Sequence, residues 1–212
     1  MHTVYEDRIE AGRRLAKKLT QYHGTDTLII AIPRGGVPVA AMVAHRLQLP
    51  WNVIASRKLP IPWNPEAGFG AVTSDGSVVL NESIIHGLGL RKEQVLEIVE
   101  EVRKEVIRRA EVNSRERPGI DVSGKSIILV DDGVASGYTM LAAIKSLRSQ
   151  GAGKIIAAAP VASRSAAAMI EGSADESVFE IVSPSIPFTV ADFYLNWHRL
   201  SAEDMLTYLR EK

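Results

Sequence analysis

The sequence predicts an α/β fold built on a twisted, mainly parallel sheet with helices on both faces. Short, continuously apolar segments alternate along the chain with amphipathic or alanine-rich segments, and turn residues separate them. Continuous apolar strands are typical of parallel sheets that are buried on both faces, and such strands alternate with helices. A chain of 212 residues is long enough for one domain with a full hydrophobic core.

Hydrophobic spacing predicts each element in the first part of the chain. Residues 5–22 have the apolar spacing of an amphipathic helix, and the alanine-rich residues 37–48 predict a second helix. Apolar runs with β-branched residues at 27–32 and 51–56 predict two buried strands. The proline-rich residues 57–68 predict a loop.

A hairpin and a long helix are expected next. Ser74-Asp75-Gly76 is a turn signal between two strand-like runs, residues 69–73 and 77–80. Residues 91–117 predict a long charged helix, which Pro118-Gly119 ends. Its arginines and glutamates interleave, which is typical of a solvated helix face with ion pairs rather than a nucleic-acid-binding stripe.

Three more strands and three more helices complete the predicted pattern. The strands are expected at residues 125–130, 154–159 and 177–182. The helices are expected at residues 138–150, 163–171 and 201–211. Ligands of parallel sheets bind beyond the carboxyl ends of the strands, which directs attention to four loops. These loops follow Ile32, Ser56, Val130 and Ala159.

Composition excludes some functional classes and disfavours nucleic-acid binding without excluding it. The 25 Lys and Arg residues balance the 25 Asp and Glu residues, whereas nucleic-acid-binding proteins usually have a basic excess. The absence of cysteine excludes thiol catalysis, disulfides and thiolate metal sites, and the five histidines lack metal-ligand spacing. Neither a signal-peptide pattern nor an apolar run of about 18 residues is present, so we expect a cytoplasmic protein without membrane contact.

The segment Ile127–Thr139 is the most informative about function. A buried strand leads to Asp131 and Asp132, then to a turn of small residues and the start of a helix. Backbone N–H groups of such a turn bind anions, and Ser136 and Thr139 add hydroxyl donors. Two carboxylates would repel a phosphate unless they bound hydroxyls or a cation. The pattern therefore predicts a sugar-phosphate site with a divalent metal. The predicted phosphate-binding residues are Gly133, Val134, Ala135, Ser136, Gly137, Tyr138 and Thr139.

This segment resembles the phosphoribosyl pyrophosphate (PRPP) signature of type I phosphoribosyltransferases, although Ala135 stands where many members have Thr. The resemblance covers nearly the whole chain. Within the family, the chain is similar to a subgroup of bacterial and archaeal phosphoribosyltransferases whose substrate is unassigned. This similarity is carried by Tyr5–Ala16, Ile32–Ala40, Arg57–Leu59, Asn64–Glu66 and the acid pair followed by Gly133.

The resemblance implies a Rossmann-like type I phosphoribosyltransferase fold and a reaction. A single domain would span residues 1–212, with a core over about 24–182 and a small hood from about 1–23 and 183–212. The implied enzyme uses Mg²⁺ and transfers 5-phosphoribosyl from PRPP to a nitrogen base, with a slight preference for purines, releasing pyrophosphate in nucleotide salvage. The fold often dimerises, so a homodimer is an expected state.

The resemblance also assigns roles to residues. The implied catalytic residues are Asp131, Asp132, Arg34 and Lys58, and both aspartates would hold the metal through water. The implied pyrophosphate-binding residues are Pro33, Arg34, Gly35, Gly36, Arg57 and Lys58. A non-proline cis peptide is expected at Arg34–Gly35, and the loop 57–68 is expected to be a mobile flap. In that flap Pro60 replaces the usual Gly and Trp63 is added. The alternative for Arg57 and Lys58 is a pair of solvated cations.

The acceptor base is expected under the hood, against the aromatic cluster near the C-terminus. The candidate base-pocket residues are Asp192, Phe193, Tyr194 and Trp197. A hydrophobic cluster or a dimer contact is the alternative interpretation of these side chains.

Two other functions stay open. A non-catalytic PRPP-sensing regulatory protein would keep the fold without turnover, whereas Arg34, Lys58 and the flap favour turnover. A PRPP-forming pyrophosphokinase is the weaker alternative, because no segment resembles an ATP site.

Overall fold

The computed structural model describes residues 4–210, apart from the side chain of Glu66, and contains two sheets. The strands are β1 (Thr27–Ala31), β2 (Trp51–Val53), β3 (Ser56–Ile61), β4 (Asn64–Thr73), β5 (Val78–Leu80), β6 (Ser126–Val130), β7 (Lys154–Ser163) and β8 (Glu176–Ser183). The α-helices are α1 (Arg8–Lys18), α2 (Gly36–Leu47), α3 (Glu82–Gly87), α4 (Lys92–Glu116), α5 (Tyr138–Ser149), α6 (Arg164–Glu171) and α7 (Ala202–Arg210). Short 3₁₀ helices occupy Thr20–Tyr22 and Val190–Phe193.

The main sheet is parallel, with the strand order β2-β1-β6-β7-β8. Its central strands are in register, with Ile29 paired to Ile128 and Ile128 to Ile156. All three isoleucines are fully buried, as expected for strands that carry helices on both faces. The predicted α/β fold is therefore confirmed.

Successive residues of the central strands point into two hydrophobic clusters. Ile29 belongs to the cluster that contains residues of α1, α2 and α7. Ile30 belongs to the cluster that contains residues of α5 and α6. The two helical layers thus bury both faces of the sheet, and the carboxyl ends of the strands remain available for loops.

The prediction of a loop over residues 57–68 is wrong, because this segment forms part of a second, antiparallel sheet of β3, β4 and β5. Leu59 and Ile61 are buried in the same hydrophobic cluster as the apolar stripe of α4. The strand register shifts at Pro60. Proline cannot donate a ladder hydrogen bond, so such a shift accommodates it. Packing against α4 therefore overrides the loop signal of the prolines.

Most other predicted elements are confirmed within a few residues. The hairpin around Ser74–Gly76 forms between β4 and β5, and the long charged helix is α4. Sequence analysis missed α3, which begins after Asn81, whose side chain accepts a hydrogen bond from the backbone of Ile84. Strand β7 continues beyond the predicted end at residue 159, since its pairing with β8 extends to Ser163.

The start of the described chain pairs with the segment around Tyr194. Tyr5 forms a parallel bridge with Tyr194, and its hydroxyl donates to the carbonyl of Pro160 at 3.0 Å. The predicted division into a core and a hood stays a prediction, and residues 1–3, 211 and 212 of that hood lie outside the described residues. Within residues 4–210, no helix combines the length and apolarity needed to cross a membrane.

Candidate active site

The loop after β6 and the β3–β4 hairpin enclose a cavity of about 470 Å³, which we name the turn cavity. It is lined by Lys58, Ala67, Gly68, Asp131, Gly133, Val134, Ala135, Ser136, Gly137, Thr139 and Met140. The fold thus brings the predicted phosphate turn, one predicted catalytic aspartate and one predicted flap lysine around a single space. Tyr138, which was also predicted to bind phosphate, is the half-buried first residue of α5.

Backbone contacts with β7 hold the turn in place. The N–H of Val134 donates to the Val161 carbonyl at 2.8 Å, and the hydroxyl of Ser163 donates to the Ala135 carbonyl at 2.7 Å. Gly137 has a φ of +82°, which favours glycine, and α5 starts immediately after it. Ser136 is exposed, so its hydroxyl and the nearby helix N-terminus are accessible to an anion.

The loop after β1 lies directly against the acid pair. A Cβ atom added to Gly35 would lie 2.0 Å from Oδ2 of Asp132, and one added to Gly36 would lie 2.7 Å from the Val130 carbonyl oxygen. This close approach requires the two glycines. The cis peptide expected at Arg34–Gly35 is instead at Pro33–Arg34, and Gly35 has ordinary helical torsions at the N-cap of α2.

The two aspartates of the acid pair have different surroundings. Asp132 is buried, and its Oδ2 accepts a hydrogen bond from Nε of Arg8 at 2.7 Å. Arg8 is buried as well and donates through Nη1 to the His198 carbonyl at 3.0 Å. Asp131 instead lines the turn cavity. Burial, followed by the charge of Asp132, raises the pKa of Asp131 well above its usual range.

Sequence analysis missed Arg8 as a partner of the acid pair. The residue lies at the start of α1, where Arg8, Ala11, Gly12 and Leu15 form the buried stripe. An arginine at a buried position of an amphipathic helix was the available signal, since buried charges are normally paired. Its carboxylate partner lies 124 positions away in the sequence and could not be found from local spacing.

The predicted pyrophosphate cations do not all face the turn cavity. Lys58 lines that cavity, whereas Arg57 forms an ion pair with Glu105 of α4. Arg34 is exposed and lines a second cavity beside α4 and α7. Burial, followed by the positive charges of Arg109 and Arg34, lowers the pKa of Arg57.

The candidate base-pocket residues form contacts among themselves and with Arg8. The Arg8 guanidinium carbon lies 3.9 Å from the centroid of the Trp197 ring. The hydroxyl of Tyr194 donates to the Asp132 carbonyl at 2.5 Å, and burial strongly raises the pKa of Tyr194. Phe193 contacts Phe188, while Asp192 is exposed. These contacts agree with the alternative of a hydrophobic cluster, and stacking on a base stays a prediction.

Comparisons with known proteins decide the family. Residues 73–196 match the model of the phosphoribosyl transferase domain. Two curated proteins of Mycobacterium tuberculosis, from strains CDC 1551 and H37Rv, carry provisional names as phosphoribosyl transferases. Each is 37% identical over 206 residues, which are 97% of this chain and 46% of the relative. This chain belongs to the phosphoribosyl transferase family.

A solved structure extends the likeness over the whole fold. The crystal structure of TT1426 from Thermus thermophilus is 33% identical, with a TM-score of 0.79 and 98% coverage of both chains. The chain spans about half the length of its curated mycobacterial relatives. The matched family region includes the acid pair and the turn, but not the loop after β1 or Arg57 and Lys58.

In this phosphoribosyl transferase domain, Asp131 is the member of the acid pair whose side chain fits Mg²⁺ in the turn cavity, and a shared role of Asp132 stays a prediction. Among residues 4–210, no group of three or more His, Cys, Asp and Glu side chains is placed to hold a metal. Mg²⁺ commonly keeps several waters and takes one or two carboxylates together with substrate phosphates. Asp131 provides a carboxylate in the turn cavity, although its Oδ1 accepts a hydrogen bond from the Asp132 N–H at 2.8 Å. Oδ2 of Asp132 is bound to Arg8.

Proposed function

We propose that the chain is a Mg²⁺-dependent phosphoribosyltransferase that transfers 5-phosphoribosyl from PRPP to a nitrogen base and releases pyrophosphate. The observation that carries this proposal is the turn cavity, in which Asp131, Lys58 and the turn 133–139 face one another. An anion-binding turn, a carboxylate and a cation are the groups that a phosphorylated, hydroxyl-bearing sugar requires.

Each side of PRPP would have its own partner. The hydroxyls and backbone N–H groups of residues 133–139, apart from the Val134 N–H that is bound to Val161, would bind the 5′-phosphate. Asp131 would accept hydrogen bonds from the ribose hydroxyls. Asp132, held by Arg8 against Gly35, would keep the phosphate turn and the loop after β1 in a fixed relation. Pyrophosphate would lie against residues 33–36 and Lys58.

In the proposed reaction, the bond between ribose C1 and pyrophosphate oxygen breaks, and a bond from the base nitrogen to C1 forms. Both electrons of the broken bond leave with pyrophosphate, and the base nitrogen supplies the electron pair of the new bond. The base loses one ring proton, which passes to water. Lys58 and the backbone dipoles of the loop after β1 would stabilise the negative charge on the leaving group. Mg²⁺, held by Asp131 through water, would add positive charge at the same place. No covalent nucleophile is needed.

The acceptor and the setting are finer parts of the proposal. A purine is slightly favoured over other nitrogen heterocycles, with Asp192, Phe193, Tyr194 and Trp197 as the candidate contacts. A homodimer in the cytoplasm is the expected state.

A PRPP-sensing protein without turnover is the second candidate. The observation that favours it is the position of Arg34 and Arg57, which lie toward α4 rather than in the turn cavity. This leaves Lys58 as the cation that lines the cavity. Binding of PRPP without release of pyrophosphate would support the sensor.

The direct test measures pyrophosphate release from PRPP and Mg²⁺ with a panel of purine and pyrimidine bases. We expect release with at least one base and a loss of about 100-fold or more in the Asp131→Asn variant. Asp26→Asn, at an exposed position, is the matched control and should keep full activity. Absence of release across the panel, or equal activity of the two variants, would contradict the enzyme proposal.

A further inference from the structure

A second cavity, of about 400 Å³, lies between α4, α7 and the start of β3. We name it the helix cavity. Pro33 and Arg34 of the loop after β1 form one edge, and the C-terminal half of α4 forms the opposite wall. It shares no lining residue with the turn cavity. A molecule bound here would therefore contact the loop after β1 from outside the turn cavity.

Two buried polar atoms belong to residues that line the helix cavity. Ser56 is 7% exposed and Asn113 is 4% exposed. Neither Oγ of Ser56 nor Oδ1 of Asn113 has a hydrogen-bond partner in the described part of the chain. A buried polar atom without a partner costs about 1–3 kcal/mol, so such atoms are usually satisfied by water or a ligand. Both residues line the cavity, but these two oxygen atoms themselves have almost no solvent-accessible area.

The same cavity has a positively charged rim. Arg34, Arg108 and Arg109 line it, together with the single carboxylate of Glu105. Glu105 is already paired with Arg57 and Arg109. Between residues 4 and 210, neither Arg34 nor Arg108 forms an ion pair. The charges of Arg109 and Arg34 also lower the pKa of Arg57, after the larger effect of its burial. An anion at this rim would relieve that repulsion.

Apolar side chains form the remaining wall. Ala55, Val112, Ala202, Met205 and Leu206 line the cavity. Small-molecule sites typically combine such apolar walls with a few placed polar groups. Apolar walls accept a flat ring, and arginines bind phosphate.

We propose that the helix cavity is a binding site for a nucleotide, outside the turn cavity and beside the loop that is proposed to hold pyrophosphate. The base lies against Met205 and Leu206, and the phosphate binds Arg108 and Arg34. Because Arg34 belongs to the loop after β1, the bound nucleotide contacts a loop proposed to hold pyrophosphate. This gives the site the position of an effector site.

The test must separate this site from nucleotide binding in the turn cavity, since a nucleotide is the product of the proposed reaction. Ser136→Glu places a negative charge in the phosphate turn and should prevent phosphate binding there. The full chain with this substitution is titrated calorimetrically with AMP, GMP, CMP and UMP, without PRPP or Mg²⁺. We expect at least one of the four to bind, and the corresponding nucleoside to bind at least about tenfold more weakly.

A second substitution in the same background locates the site. Arg108→Gln should weaken nucleotide binding at least about tenfold. Arg115→Gln changes an exposed arginine on the same helix, outside the cavity lining, and should leave affinity unchanged. Two results would overturn the proposal. One is the absence of nucleotide binding in the chain that carries Ser136→Glu as its only substitution. The other is equal nucleotide affinity of the Arg108→Gln and Arg115→Gln chains in that background. Neither readout depends on phosphoribosyl transfer, so failure of the proposed reaction would leave this result interpretable.

Discussion

Asp131 and Asp132 are neighbours in the chain but belong to different regions of the molecule. Asp131 lines the turn cavity with the phosphate turn. Asp132 is buried, and Arg8 binds its carboxylate while Tyr194 binds its carbonyl. The comparison indicates that the two acids of the pair have different roles. Asp131 is available to a ligand, whereas Asp132 stabilises the loops around it.

The Arg8→Met variant gives the largest expected effect on the Asp132 side. It leaves a buried carboxylate without its cation, which should lower the free energy of unfolding by about 3–5 kcal/mol. Urea denaturation followed by far-UV circular dichroism measures this loss. The matched Arg13→Met substitution, at an exposed position on the same helix, should change stability by less than about 0.5 kcal/mol. Equal losses in both variants would show that the ion pair does not stabilise the fold.

Substitution of Gly35 tests the close approach between the two loops. In Gly35→Ala, the new Cβ would lie 2.0 Å from Oδ2 of Asp132, which Arg8 prevents from moving freely. The resulting overlap should cost about 1–3 kcal/mol of stability. Gly119→Ala is the control, because no atom lies within 4 Å of its added Cβ. Thermal denaturation measures the stability of both variants. Equal stability of Gly35→Ala and Gly119→Ala would contradict the close contact.

The hydroxyl of Tyr194 provides a smaller test on the same side. Tyr194→Phe removes its hydrogen bond to the Asp132 carbonyl, for an expected loss of about 1 kcal/mol. Tyr138→Phe removes a hydroxyl from a half-buried tyrosine at the start of α5 and should have a smaller effect. Chemical denaturation in parallel distinguishes them, and a larger loss in Tyr138→Phe would go against this role of Tyr194.

Substitution of Asp175 gives the smallest expected effect. The pKa of Asp175 is lowered, whereas that of Asp131 is raised. Its Oδ2 accepts a hydrogen bond from the Ile155 N–H at 2.7 Å, and this bond, together with Arg148, lowers its pKa. A lowered folded-state pKa stabilises the fold above the unfolded value of about 3.9, and this contribution is lost as the pH falls through the folded-state pKa. For so exposed a group we expect less than about 1 kcal/mol.

The stability difference between the native chain and Asp175→Asn, measured by urea denaturation, should therefore shrink from pH 7 to pH 3. A difference that stays constant over this range would rule out the pKa shift as its source.

The parts of the fold that depend on local patterns could be predicted from the sequence. The apolar runs around Ile29 and Ile128 are predictable as strands because a strand that is buried on both faces is apolar at successive positions. The turn after Val130 contains Gly137, whose positive φ favours glycine. The β3–β4 hairpin was missed because Pro60 signals a loop, whereas packing against α4 decides the outcome.

The candidate site was predictable only where its residues are contiguous in the sequence. The turn 133–139 and Asp131 could be identified because their chemistry is contiguous in the chain. The pairing of Arg8 with Asp132 could not, since it joins the first helix to the end of β6. The ion pair of Arg57 with Glu105 likewise depends on where α4 packs, which redirects a cation that was predicted to bind pyrophosphate.

The division of work between Asp131 and Asp132 is tested most directly by calorimetric titration of the Asp131→Asn chain with PRPP and Mg²⁺, beside the native chain and Asp26→Asn. The account predicts at least about tenfold weaker binding in Asp131→Asn alone, which corresponds to about 1.4 kcal/mol, with its urea midpoint close to the native value. Equal PRPP affinity in all three chains would contradict the assignment of Asp131 to the ligand.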